Sequence, residues 1–343
     1  MILRKRVRRR LLREPSAHNP IYRLEHLDGM IVRSDIACIE QLRMDRRTSN
    51  VLASMIREIG GLSDTKNMVV EEMLAMFLHI LAFEEKNREI KYDFHRSGET
   101  ISRHFHDVLR AVLQLSSILL KKPVPIPEDC DDDRWKWFTN CIGALDGTLI
   151  NVNVPVIDKS RHRSRKNTIS TNVLGACAPD MQFIYVLAGN YYLADAGYKH
   201  FEGFLVPYRN TPYHEWRNGS EQPNTREVIF NMRHASARNV IERAFGLLKI
   251  RWAALSKGTK YPLNTQIDII LACVYIHNHI RQQMSIDPIK AELDDIREDE
   301  GNDEGENAGE FIQNLDATNA WSIFRNGLAQ NMYNSWLARR NQQ

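Results

Sequence analysis

The sequence has no long apolar run, because no window of eighteen residues in its 343 residues is free of charge. Its most apolar stretch, residues 73–83, is too short to cross a bilayer and contains a histidine, so no membrane span is expected. The five cysteines are scattered without a C-x-x-C pair, which argues for reduced thiols and against a thiolate zinc site. Only Leu11 and Leu12 follow the basic N-terminus before Pro15, so no secretory leader is expected. Internal repeats and Gly-rich phosphate loops are also missing.

What is present suits a folded chain with polarised ends. Hydrophobic residues make up 43% and charged residues 26% of the sequence, which allows a buried core and excludes a wholly disordered protein. Residues 4–13 hold seven basic side chains, and residues 292–310 hold ten acids. The basic leader fits a nuclear-import signal or an arm that contacts phosphates, although a solvated tail would look the same. The acidic run fits a self-repelling linker.

Hydrophobic periodicity predicts an α/β (α+β) chain. Spacings of three and four residues indicate helices over residues 35–120, 235–252, 266–282 and 320–338, whereas alternation indicates consecutive strands over residues 140–195. We therefore predict a basic leader (1–34), a helical domain (35–125), a mixed α/β domain (126–288), and an acidic linker with an amphipathic C-terminal helix (289–343).

Two basic segments are candidates for DNA contact. Residues 97–106 form a small polar turn followed by a helix start that carries Arg103, which suits the recognition element of a helix-turn-helix. An ordinary amphipathic helix explains them equally well. The second segment lies between the first two predicted strands and suits a phosphate backbone, with a solvated loop as the alternative. Its candidate contacts are Lys159, Arg161, Arg163, Arg165 and Lys166.

Three acids interrupt apolar surroundings. Asp146 follows the run Ile-Gly-Ala-Leu, Asp195 ends the run Tyr-Tyr-Leu-Ala, and Glu242 lies in a predicted helix. Two strand acids and one helix acid form the oxygen-donor set that hard divalent cations need, and two such ions can clamp both the attacking and the leaving oxygens of a phosphodiester.

Each acid also has an ordinary structural explanation. Asp146 and Gly147 could form a hairpin turn, and Asp195 could cap the turn that follows it. Glu242 could simply pair with Arg238 one helical turn earlier. Their order, two strand ends followed by a helix, weakens these explanations without removing them.

The sequence resembles the plant harbinger transposase-derived nucleases, the PIF/Harbinger branch of the DDE superfamily of endonucleases. The resemblance covers residues 36–288. It is carried by short segments in a specific order, at residues 38–44, 96–105, 143–148, 171–175, 193–198 and 237–249.

The resemblance implies an RNase H-like mixed sheet with flanking helices, preceded by a helical domain. It also implies metal-dependent cleavage of DNA, with Mg²⁺ or Mn²⁺ as the cofactor. Asp146, Asp195 and Glu242 occupy the family's acidic positions as catalytic residues and metal ligands, and 46 residues separate the last two. Family members typically work in the nucleus with a separate Myb/SANT-like DNA-binding protein, so DNA and such a protein are the expected partners.

One departure from the family pattern bears on catalysis. Relatives insert a segment with a further Asp and a helix after the third strand, whereas here Asn190 follows Gly189 directly. Parallel strands need a crossover of about a dozen residues, and Gly-Asn is a two-residue hairpin signal. The junction therefore predicts an antiparallel strand, which displaces Asp195 by roughly 15 Å at ~3.3 Å per residue. A mis-joined gene model would leave the same gap.

Two functions from different classes follow. The first is a metal-dependent DNA endonuclease, with little or no cleavage expected from the chain as written because of the missing crossover. The second is a non-catalytic descendant of a transposase that acts as a nuclear DNA- or protein-binding factor.

Overall fold

The computed structural model describes residues 20–85, 87–164, 167–184, 191–198, 200, 203–211, 225–299 and 319–340. The helices are α1 (Pro20–Ile31), α2 (Asp35–Leu42), α3 (Arg46–Glu58), α4 (Val70–Phe83), α5 (Asn87–Asp93), α6 (Gly98–Gln114), α7 (Ser116–Leu119), α8 (Arg226–Arg251), α9 (Ala253–Lys257), α10 (Leu263–Gln283), α11 (Pro288–Asp299) and α12 (Asn319–Arg340). The strands are β1 (Cys141–Asn151), β2 (Ser170–Cys177), β3 (Tyr191–Leu193) and β4 (Phe204–Leu205), and a short 3₁₀ helix spans Val156–Asp158.

A mixed sheet with flanking helices confirms the predicted fold class. The change from helical to strand periodicity near residue 140 coincides with the start of β1. All five cysteines are free thiols. Within the described part of the chain, no helix is long and apolar enough to cross a membrane.

The helices begin where small polar side chains can cap them. Ser34, Asp45 and Ser97 each accept a hydrogen bond from the backbone N–H three residues later, at the starts of α2, α3 and α6. Such caps satisfy N–H groups that have no partner inside the helix and stabilise it by about 1 kcal/mol each. Residues 97–106, with the predicted recognition element, therefore begin a capped amphipathic helix that buries Ile101 and Phe105 and exposes Arg103.

The chain forms two compact units, each assembled from segments that are distant in sequence. The described parts of Met1–Leu119, Asn151–Arg161 and Lys249–Ile289 form the first unit, and those of Leu120–Ile150, His162–Leu248 and Lys290–Gln343 form the second. The predicted domains, by contrast, are continuous stretches of sequence.

The first unit is helical and is held together by buried polar contacts as well as apolar packing. Arg96 donates two hydrogen bonds of 2.7 Å to the carboxylate of Glu72 in α4, and both side chains are less than a tenth exposed. Arg251 pairs with Asp287 at 2.5 Å, and both side chains are almost fully buried. Removal of one partner from such a pair leaves an uncompensated buried charge, which costs about 3–5 kcal/mol.

The second unit is built on the sheet, whose strand order is β2-β1-β3-β4. Its core is formed by buried residues of the strands and of the segments that directly follow them. The core cluster consists of Ile142, Leu145, Ala176, Ala178, Ile184, Tyr192, Ala194, Tyr198 and Val206.

The strand that leads to Asp195 runs parallel to the strand that carries Asp146, so the predicted antiparallel reversal is wrong. β3 pairs in parallel with β1 on one side and with β4 on the other. All three of its residues are buried, as expected for a parallel strand covered on both faces. The hairpin signal misled because β3 pairs with strands from other parts of the chain rather than with the segment just before it. The Gly189-Asn190 junction itself, within residues 185–190, lies outside the described residues.

Gly143 lies where β1 passes close to the backbone of Cys177 in β2. A Cβ atom added to it would lie 2.1 Å from the carbonyl oxygen of Cys177 in β2. A backbone oxygen in a paired strand cannot yield as the end of a flexible side chain could. Gly143 is therefore needed for the packing of β1, three residues before Asp146.

We predict that Gly143→Ala destabilises the protein by about 3 kcal/mol, the upper end of the range for overpacked cores. Urea denaturation followed by circular dichroism measures this change. Gly327→Ala in α12 is the matched control, because its added Cβ meets open space. The control should be neutral or slightly stabilising through its helix propensity. Equal stability of the two variants would contradict the assignment of Gly143.

Candidate active site

Asp146 and Asp195 lie at matching positions on neighbouring parallel strands. The register pairs Ala144 of β1 with Leu193 of β3. Asp146 comes two residues after Ala144, and Asp195 comes two residues after Leu193. The same register therefore places Asp195 beside Asp146. Neighbouring strands are about 4.8 Å apart, and the two carboxylates therefore emerge at the same part of the sheet.

Glu242 and Arg238 reach this position from α8. The guanidinium of Arg238 donates one hydrogen bond to Asp146 Oδ2 at 2.8 Å and another to Glu242 Oε1. The second oxygen of Asp146 accepts the N–H of Gly147 at 2.8 Å. The side chains of Asp146 and Arg238 are each 13% exposed, and that of Glu242 is 33% exposed, so the bridged carboxylates sit in a largely desolvated environment.

The pKa shifts show that the three acids and Arg238 form one electrostatic group. Burial raises the pKa of Asp146; Arg238 opposes this shift, while the charge of Asp195 adds to it. Burial disfavours the charged form of Arg238, yet the negative charges of Glu242, Asp146 and Asp195 raise its pKa overall. The guanidinium thus compensates a cluster of carboxylates that would otherwise repel one another.

Tyr198 adds a hydroxyl group to this cluster. Its side chain is buried, and its hydroxyl has no hydrogen-bond partner among the described residues. Burial, followed by the charges of Asp146 and Asp195, raises its pKa to about 12. An orphaned hydroxyl beside two carboxylates is unusual in a native core, because buried polar groups are normally paired.

The donor set suits a hard divalent cation. Asp146, Asp195 and Glu242 offer only carboxylate oxygens, which Mg²⁺ and Mn²⁺ prefer, and the unpaired hydroxyl of Tyr198 leaves a polar group available nearby. The ligand oxygens of these three acids do not all lie within 4.8 Å of one another. Within the described residues, the group whose ligand atoms all lie within 4.8 Å of one another is His79, Glu85 and Asp93, in the first unit.

Of the ordinary structural explanations of the three acids, the one for Asp146 is excluded and those for Asp195 and Glu242 are observed. Asp146 and Gly147 lie inside β1, so they do not form a hairpin turn. The backbone oxygen of Asp195 accepts a hydrogen bond from Tyr198 N–H at 3.1 Å, so a turn does begin there. The pair between Glu242 and Arg238 is formed as well. Sequence reasoning missed the second bond of Arg238, to Asp146, and the hydroxyl of Tyr198.

The predicted DNA contacts are exposed where they are described. Arg103 lies on the outer face of α6, and Lys159 and Arg161 lie in the turn after the 3₁₀ helix. Arg163 is exposed and donates a hydrogen bond to the side chain of Asn167. Arg165 and Lys166 lie outside the described residues.

Comparisons with known proteins match two separate parts of the chain to family models. A family model described as a DDE superfamily endonuclease matches residues 186–278, which include Asp195 and Glu242 but not Asp146. A second model, a domain of unknown function (DUF8040), matches residues 25–114. The chain is similar to "Protein ALP1-like" of Arabidopsis thaliana, with 25% identity over 289 residues, 69% of either chain. No solved structure matches.

We predict that Arg238→Gln destabilises the protein by about 3 kcal/mol at pH 7, because it leaves buried carboxylates uncompensated. Without the guanidinium, the folded-state pKa of Asp146, which burial already raises, rises further above its unfolded value. The folded state then binds more protons, so the deficit should be large at pH 7 and shrink as the pH falls towards 5.

Urea denaturation at both pH values measures this dependence. Arg226→Gln is the control on the same helix, since Arg226 makes an exposed pair with Glu227, which is worth at most about 1 kcal/mol. A deficit of Arg238→Gln that stays constant between pH 5 and pH 7 would contradict the prediction.

Proposed function

We propose that the chain, which is similar to the harbinger transposase-derived branch of the DDE superfamily endonucleases, hydrolyses DNA phosphodiester bonds with a divalent metal ion. The observation that supports this proposal is the meeting of three acids from separate elements. Asp146 and Asp195 share a register position on parallel strands, and Glu242 joins Asp146 through Arg238. The topological objection to catalysis no longer applies, because β3 is parallel to β1.

Asp146, Asp195 and Glu242 would hold Mg²⁺ or Mn²⁺, as endonucleases of this superfamily generally use divalent metals. When bound, such ions supply charge stabilisation for the attacking and leaving oxygens of the phosphodiester. The chain's own contribution is to fix the carboxylates in place. Gly147 N–H orients Asp146, and burial restricts access of water to its carboxylate. The hydroxyl of Tyr198, whose pKa is raised by burial and by the charges of both strand acids, would stay protonated near them.

A second candidate function is a non-catalytic DNA- or protein-binding factor. The bridge from Arg238 to Asp146 and Glu242 favours it, because this bridge satisfies both carboxylates without a metal. The segment with a further Asp that relatives carry after the third strand is also missing between Gly189 and Asn190.

We expect Mn²⁺-dependent nicking of supercoiled DNA by the unmodified chain, and Asp195→Asn, Asp146→Asn and Glu242→Gln should each reduce it by at least about a hundredfold. Each loss removes a carboxylate that would hold the metal. Gel analysis of nicked plasmid over time measures the rate, with Asp180→Asn, a residue of the same unit that pairs with Lys121, as the control. Absence of metal-dependent nicking by the unmodified chain would favour the non-catalytic function.

The exposed basic side chains support DNA binding as part of either function. Lys159, Arg161 and Arg163 follow one another along the chain after the 3₁₀ helix. Flexible cations of this kind bind phosphates and release counterions, whatever the base sequence. Arg103 on α6, with Arg165 and Lys166, completes the proposed set.

We predict that replacing Lys159, Arg161 and Arg163 together with alanine weakens DNA binding and lowers the salt dependence of log K by roughly one unit per lost contact. Fluorescence anisotropy with a labelled duplex at several salt concentrations measures both quantities. Arg33→Ala is a control for an exposed arginine elsewhere, since its side chain is 66% exposed and pairs with Asp28. An unchanged salt dependence in the triple variant would remove these residues from the DNA contact.

We further propose that the protein acts in the nucleus with a Myb/SANT-like DNA-binding partner, as the family resemblance implies. The seven basic side chains within residues 4–13 support nuclear import. A fluorescent fusion that begins at Asp35 should therefore lose its nuclear accumulation, whereas the full chain keeps it. An identical distribution of the two fusions in cells would contradict the role of the basic leader.

A further inference from the structure

Arg238 occupies the position of a cation within the acidic site. We propose that Arg238 is the resident counter-cation of Asp146 and Glu242, and that a divalent metal ion competes with its guanidinium for these carboxylates. This inference rests on the proposed function, since it assumes that the acids can bind a metal. It makes Arg238 a positioning residue that sets the affinity of the site for metal.

The hydrogen bonds around Asp146 carry the first part of this inference. Its Oδ1 accepts Gly147 N–H and its Oδ2 accepts Arg238 Nη1, each at 2.8 Å. Both carboxylate oxygens are therefore engaged, one by the backbone N–H of Gly147 and the other by the guanidinium. A metal ion bound through Asp146 Oδ2 has to displace or share this bond.

Glu242, on α8, is bound by the same guanidinium, so a metal ion would also compete with Arg238 for its carboxylate. Its Oε1 accepts the other branch of the same guanidinium, so a single planar group ties a strand acid to a helix acid. The two donors of Arg238 have a fixed geometry, which holds the carboxylates at a separation set by the guanidinium. The guanidinium thus stands between an oxygen of Asp146 and an oxygen of Glu242, and the oxygens of the three acids do not all lie within 4.8 Å of one another.

The charges lead to the same conclusion. With its carboxylates ionised, the group of Asp146, Asp195 and Glu242 carries three negative charges and Arg238 supplies one positive charge. The remaining two charges suit one divalent ion, whereas two ions next to a retained guanidinium would leave an excess of positive charge in a desolvated site. Entry of a pair of ions therefore requires Arg238 to leave, and its removal should strengthen metal binding.

Isothermal titration calorimetry with Mn²⁺ alone tests the inference on the full chain, Arg238→Gln, Arg238→Lys and the Arg226→Gln control. We expect Arg238→Gln to bind Mn²⁺ at least about tenfold more tightly than the unmodified chain, with Arg226→Gln unchanged. Arg238→Lys should lie between them, because one ammonium group cannot bridge both carboxylates in the manner of a guanidinium. Asp146→Asn combined with Arg238→Gln should lose the gain.

A thermal-unfolding scan with and without Mn²⁺ gives a readout that does not depend on activity. Mn²⁺ should raise the Tm of Arg238→Gln more than that of the unmodified chain, since bound metal replaces the missing counter-charge. If Arg238→Gln does not fold, the comparison of Arg238→Lys with the unmodified chain still applies.

The outcomes separate the inference from the proposed function. The competition is overturned if the unmodified chain binds Mn²⁺ and both Arg238→Gln and Arg238→Lys bind it no more tightly. That result leaves the nuclease proposal standing. Binding by the variants but not by the unmodified chain supports the competition and counts against catalysis by the chain as it exists. Absence of binding in every protein overturns both.

Discussion

The parallel pairing of β1 with β3 is the constraint on which the acidic site depends. Because Ala144 is paired with Leu193, the two acids that follow two residues later share a position at one part of the sheet. A shift of the register by one residue would send one of the two side chains to the opposite face. The close contact of Gly143 with Cys177 helps to fix β1 against its other neighbour, and the register and the packing of glycine therefore serve the same site.

Convergence of the acids creates a charge problem that the fold solves with one arginine. Burial raises the pKa of Asp146, and the neighbouring Asp195 raises it further. Arg238 opposes both effects by its bonds to Asp146 and Glu242, and it is itself kept charged by the same carboxylates. The balance contrasts with the buried pair of Arg251 and Asp287 in the first unit, where the charges of Arg281 and Arg43 act on Arg251 as further cations.

Much of this architecture follows from local sequence patterns, whereas the site's final geometry does not. Helical spacing predicts α8 and α10, alternation predicts β1 and β2, and the order of the acids indicates a metal site. The direction of β3 could not be predicted, because a Gly-Asn junction signals a hairpin only if the strands on either side pair with each other. The bond from Arg238 to Asp146 joins residues 92 positions apart, so the helical i,i+4 rule reveals only the pair with Glu242.

The same arrangement is compatible with a nuclease and with a protein that has lost catalysis, and the two differ in which cation neutralises the acids. A guanidinium satisfies the carboxylates and stabilises the fold, but it cannot act as a Lewis acid on a phosphodiester. A metal ion can, at the expense of the bonds that Arg238 makes. The fold thus keeps its acids together whether or not metal binds, which allows the site to persist as a structural element after its chemistry is lost. Stability of this region is consequently a poor guide to activity, and the relative affinities of Arg238 and the metal for Asp146 decide between the two functions.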